Sequence, residues 1–119
     1  MSTKSRRPTM EHTPAISVVV IGGPDALVEA VRRSIGRLAV ARVVGTDVAG
    51  AATQVASTRP FALVISEEIY GFDSAEFDAL ARDVQASVIT VPTDGVPARQ
   101  LQERLDPRIL DAYRTRFGE

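Results

Sequence analysis

One stretch constrains this chain more than any other: Ile16-Ser17-Val18-Val19-Val20-Ile21, β-branched and almost continuously apolar, stopping at Gly22-Gly23. A strand with one wet face alternates apolar and polar side chains, whereas an unbroken apolar run must be covered on both faces. Such a strand belongs inside a parallel sheet with a helical layer on each side. The residues after the glycines supply the first cover. Pro24 suits a first helical turn and Asp25 the positive helix end. Leu27, Val28, Val31, Ile35 and Leu38 then recur at helical spacing, opposite Glu29, Arg32, Arg33 and Arg37.

The unit recurs along the chain. Arg42-Val43-Val44-Gly45 is a second short strand, and Thr46 or Asp47 caps a helix with Val48, Ala51, Ala52 and Val55 on its apolar stripe, stopped at Arg59-Pro60. Phe61 to Ile65 is a third strand, ending at Ser66-Glu67-Glu68. The spacing then predicts a loop over Ile69-Tyr70-Gly71-Phe72 and a helix capped by Asp73 or Ser74 that carries Phe77, Leu80, Ala81 and Val84. Ser87 to Val91 is a fourth strand, closed by Pro92. Thr93 to Pro97 is a loop leading to a short helix with Leu101 and Leu105. Asp106-Pro107 restarts a terminal helix by cap and N1 proline, with Ile109, Leu110, Tyr113 and Phe117 on its apolar side.

The expected fold is α/β: a flavodoxin-like parallel sheet of four or five strands, helices on both faces, and a C-terminal helix. Residues 1–15 are polar and interrupted by two prolines, predicting a disordered tail; residues 16–106 form the domain and 107–119 the C-terminal helix.

Composition narrows function mainly by exclusion. A length of 119 residues is one domain, long enough to bury about two thirds of its unfolded surface without staples. A net charge of -1 gives no electrostatic reason to expect nucleic acid or an anionic membrane as partner. There is no cysteine for a disulfide or thiolate metal site, and His12, the only histidine, lies in the tail. No apolar run has the ~18–20 residues of a membrane helix. Neither metal nor cofactor is expected, and a bacterial cytoplasmic location is.

At the third strand a family resemblance emerges. Arg59-Pro60-Phe61-Ala62-Leu63-Val64-Ile65-Ser66-Glu67-Glu68-Ile69-Tyr70-Gly71-Phe72-Asp73 resembles, without gaps, the response-regulator receiver stretch R-P-D-L-V-L-L-D-x-x-x-P-G-x-D. Val18 to Ile21, Gly22-Gly23, Leu27, Glu29 and Val31 are also similar to a receiver's first unit. In that family two acidic residues after the first strand and an aspartate after the third hold a divalent cation, and the aspartate accepts a phosphoryl group. The chemistry needs hard oxygen ligands and charge neutralisation. Carried over by position, Gly22 and Gly23 replace the acidic pair and Ser66 the acceptor. The family's lysine is absent, because Lys4 in the tail is the only lysine.

The resemblance therefore implies a pseudo-phosphorylation pocket formed by Gly22, Gly23, Asp25, Ser66, Glu67, Thr90 and Pro92, without catalysis. Glu67 and Glu68 are poor joint metal ligands, since successive residues leaving a strand point apart. The implied function is a phosphorylation-independent protein-interaction or signalling module. Its interaction candidates are Ile69, Tyr70 and Phe72 in the loop, and Tyr113 and Phe117 on the terminal helix, the latter allowing a homodimer. The alternative is a small-molecule or nucleotide sensor, with backbone N–H groups at Gly22-Gly23 facing an anion. No G-x-G-x-x-G or G-K-[ST] fingerprint accompanies that turn.

Overall fold

The hydrophobic run forms a strand at the centre of a sheet, as its composition requires. β1 (Ile16–Ile21) lies between β2 (Ala41–Thr46) and β3 (Ala62–Ser66), and β4 (Ser87–Val91) completes the parallel order β2-β1-β3-β4. The structure is a computed structural model that describes residues 16–36 and 41–118. The predicted tail, with Lys4 and His12, lies outside the described residues, as do Arg37 and Leu38 of the first predicted helix.

Val18, Val19, Val20 and Ile21 are each 0% exposed, so both faces of β1 are covered. Val18 and Val20 face one core with Leu27, Val31, Ile35, Leu101, Leu105 and Ile109. Val19 and Ile21 face the other, with Ala51, Val55, Phe77 and Ala81. The first core is roofed by α1 (Asp25–Ile35) and α5 (Ala98–Phe117), the second by α2 (Ala51–Thr58) and α4 (Ser74–Val84). A period of two in the strand thus assigns alternate side chains to two separate cores. α1 and α5 also pack on each other, and a hydrogen bond joins them: buried Ser34 donates to Asp106 Oδ1 at 2.6 Å.

Three local expectations change. Ile69 to Phe72 is not a loop; it belongs to a short helix, α3 (Glu67–Phe72). Its start is set by Ser66, whose hydroxyl accepts from the Ile69 N–H at 3.2 Å, satisfying one of the free donors at a helix start. Val48 sits in the turn before α2, because Asp47 Oδ1 accepts from Gly50 N–H at 2.8 Å and delays the helix to Ala51.

The predicted break at Asp106-Pro107 is also absent, and α5 runs unbroken through Pro107. A proline inside a helix removes one backbone bond and costs about 3 kcal/mol. Here the offset is visible, since Leu101, Leu105, Ile109 and Ala112 form one buried stripe on both sides of it.

β4 lies beside β3, in register from Ala62↔Ser87 to Ser66↔Val91. In a four-stranded sheet that place beside β3 suits either the fourth or the fifth strand of the flavodoxin-like order. The described sheet has four strands.

Candidate functional site

In a doubly wound sheet, the carboxyl ends of the strands beside the reversal of strand order form the natural crevice. Here those strands are β1 and β3, and they end at Gly22-Gly23 and Ser66. The sheet therefore brings the two halves of the predicted pocket together.

The glycines have a structural reason. Gly22 and Gly23 have φ of 65° and 86°, in the left-handed region. Gly22 N–H donates to the Thr46 carbonyl at 2.7 Å, holding the turn against the end of β2. A Cβ on Gly22 would lie 2.3 Å from Ile69 Cδ1. Ile69 of α3 therefore rests directly on the bare Cα of Gly22, where a side chain would stand.

Beside this contact is an open cleft of about 680 Å³ lined by Gly23, Pro24, Ser66, Glu68, Ile69, Thr93, Asp94 and Gly95. Thr93 hydroxyl meets Glu68 Oε1 at 3.5 Å across its mouth. Of the predicted pocket residues, Gly23 and Ser66 line the cleft; Gly22, Asp25, Glu67, Thr90 and Pro92 do not. Gly22 is covered by Ile69, and Asp25 and Glu67 are exposed in the first turns of α1 and α3. The Thr90 carbonyl is engaged by Arg108 Nη1 at 2.6 Å.

Pro24, Glu68, Ile69, Thr93, Asp94 and Gly95 are the lining residues that the predicted pocket leaves out, Ile69 being an interaction candidate instead. Glu68 and Thr93 had a usable signal, since each lies within two residues of a strand's carboxyl end. Asp94 and Gly95 come from the β4–α5 loop, whose path depends on tertiary packing.

Ser66 is 2% exposed, and its oxygen serves as the cap of α3. Among the described residues no histidine is available to act as its base. Among them, too, no three His, Asp or Glu side chains gather as metal ligands.

The three candidates on α3 have separate fates. Ile69 is spent on Gly22. Tyr70 stacks on Phe77 at 6.3 Å and donates its hydroxyl proton to Asp78 Oδ1 at 2.8 Å, tying α3 to α4. That hydrogen bond to a carboxylate raises the phenol above its ordinary value of 10, with desolvation and the negative charge of Asp78 adding to it. Phe72 is 87% exposed. It stands at the last position of α3, and its sequence neighbours Glu67, Glu68, Asp73 and Glu76 are exposed.

Tyr113 and Phe117 lie at the opposite end of the sheet. They meet Phe61 edge to face, at 5.6 and 6.0 Å, and each other at 4.8 Å. Phe117 stays 48% exposed beside Arg116, whose guanidinium lies 5.7 Å from its ring. Comparison with family models, curated proteins and solved structures finds no match to the chain. Among the described residues, no helix is long and apolar enough to cross a membrane.

Proposed function

We propose that this domain is a receiver-like, phosphorylation-independent protein-interaction module that docks its partner on α3. Phe72 carries the reading. A large apolar side chain that is 87% exposed stands on a helix held from three directions, by the Ser66 cap, the Ile69–Gly22 contact and the Tyr70–Asp78 hydrogen bond. An aromatic held out on a braced support binds with little loss of conformational entropy. The surrounding carboxylates favour a partner with an apolar pocket bordered by arginine or lysine. Glycines at 22 and 23 and a capping serine at 66 leave phosphoryl transfer without its ligands or acceptor, so switching would come from the presence of the partner. This reading includes no catalysis and a cytoplasmic setting.

A photo-crosslinking residue placed at position 72 in living cells should capture that partner. Purified, the partner should bind the Phe72→Ala variant at least about tenfold more weakly than the parent, the loss of roughly 1.4 kcal/mol or more expected of an interface anchor. Equal affinities would end the proposal. Acetyl phosphate with magnesium should leave the protein's mass unchanged, and a stable phospho-adduct would contradict phosphorylation independence.

The cleft favours a second reading, small-molecule or nucleotide sensing, because its volume falls in the range of ligand sites. Glu68 and Asp94 on its lining argue against phosphate groups and for a cationic ligand. A thermal shift with ATP or GTP at millimolar concentration would revive the nucleotide version.

A further inference from the structure

Among the described residues the sheet ends on β4, and that edge has a definite polarity. Ser87 N–H donates to the Phe61 carbonyl at 3.0 Å, on the β3 side. Peptide groups alternate along a strand, so those of Ser87, Ile89 and Val91 turn toward β3 and those of Val88 and Thr90 turn outward. The Thr90 carbonyl agrees, since it accepts from Arg108 Nη1 of α5 at 2.6 Å. Edge strands are usually blunted by charge, proline or a bulge. Ser87-Val88-Ile89-Thr90-Val91 contains no charge or proline, and its register with β3 is unbroken. Next to it runs a groove of about 190 Å³ whose other wall includes Arg108, Asp111 and Thr115 of α5.

The geometry points to a second copy of this chain as the occupant of that edge, paired antiparallel through β4 so that two four-stranded sheets become one. Charge selects a second copy over a foreign strand. α5 runs antiparallel to β4, because Arg108 meets Thr90 while Arg116 reaches Val84 and Gln85 beyond the strand's start. Asp111 therefore lies nearer the Ser87 end of the groove than Arg108 does. A twofold axis through Ile89 reverses that order in the second copy. Each Arg108 then faces the other copy's Asp111, and Val88 and Thr90 exchange backbone hydrogen bonds across the axis. The Thr90 carbonyl has two lone pairs and can keep Arg108 while accepting a Val88 N–H. This inference rests on the sheet edge alone and stands apart from the role proposed for Phe72.

Light scattering after gel filtration, over a range of loading concentrations, should report the mass of two 12.8 kDa chains. Asp111→Arg places like charges together and should raise the dissociation constant about tenfold or more. The double variant Arg108→Asp/Asp111→Arg should recover dimerisation, because the exchanged charges again face each other. Val88→Pro removes an outward N–H and no bond to β3, so it should weaken the dimer while circular dichroism stays unchanged. A single-chain mass at every concentration would overturn the proposal. So would a dimer that neither Asp111→Arg nor Val88→Pro weakens, which would put the contact elsewhere, for example at Phe117. A double variant as weak as Asp111→Arg alone would also overturn it.

Discussion

The two ends of this sheet use aromatic side chains in opposite ways. At the amino end, Tyr113 and Phe117 meet buried Phe61 edge to face and each other at a tilt. Arg116 crosses the same region and donates to the carbonyls of Pro60, Val84 and Gln85, at 3.2, 3.1 and 3.3 Å. Two of these belong to the carboxyl end of α4, where a cation is favoured by the helix dipole. At the carboxyl end, α3 commits Ile69 and Tyr70 to its own support and leaves Phe72 in water. At one end the aromatics pack on one another, Phe117 keeping 48% of its surface exposed; at the other Phe72 is left 87% exposed. Exposure on a rigid support, more than aromatic character, distinguishes a recognition candidate from a structural residue.

Substitutions should separate the two ends by stability. Phe61→Ala should cost the most, about 3–5 kcal/mol in urea unfolding, because a 1% exposed ring and its two aromatic contacts are lost together. Gly22→Ala should cost about 2–4 kcal/mol, from the left-handed backbone and the collision with Ile69 Cδ1. Ile69→Val removes that carbon, so the double variant should be more stable than the sum of the two single effects allows. Strict additivity would mean that α3 does not rest on the turn. Arg116→Ala should cost about 1–3 kcal/mol, for carbonyls that lose a charged donor.

A pH titration probes the carboxyl end alone. Tyr70 has a raised phenol pKa, so the folded state holds its proton more tightly than the unfolded one. Its contribution to stability should be complete below pH 10 and disappear as pH climbs through the raised value. Tyr70→Phe should flatten that alkaline limb, and an unchanged limb would show that the Asp78 hydrogen bond does not form in solution. Phe72→Ala should have the smallest effect on stability, within about 0.5 kcal/mol of the parent, while partner binding falls. A larger loss of stability would move Phe72 to the structural side of the comparison.

Most of the sheet was legible in the chain because its strands are short apolar runs punctuated by glycine and proline. Val18 to Ile21 demanded cover on two faces and received it. α3 was not legible. Six residues hold too little periodicity to betray a helix, and Gly71 and two aromatics argue against one. Its stability comes from Ser66, Gly22, Phe77 and Asp78, which only the fold brings near. Continuity of α5 was legible in principle. Leu101, Leu105, Ile109 and Ala112 keep helical step across Pro107, a stronger sign than the local resemblance of Asp106-Pro107 to a helix start. Asp106 accepts a hydrogen bond from the buried Ser34 hydroxyl of α1, a partner too distant in sequence to anticipate. In the site, the positions around Gly22 and Ser66 were foreseeable from strand ends, whereas the division of labour among Ile69, Tyr70 and Phe72 depends on side-chain directions within an unforeseen helix.

The contact between Ile69 and Gly22 also sets the order in which this chain could change. A mutation placing a carboxylate at position 22 meets an occupied site and a backbone strained for any side chain. It would be lost to instability unless Ile69 had already been shortened. An acidic turn therefore lies two ordered steps away, the first of which loosens α3 and with it the support of Phe72. A chain that depends on that support cannot acquire a carboxylate at position 22 without first loosening it.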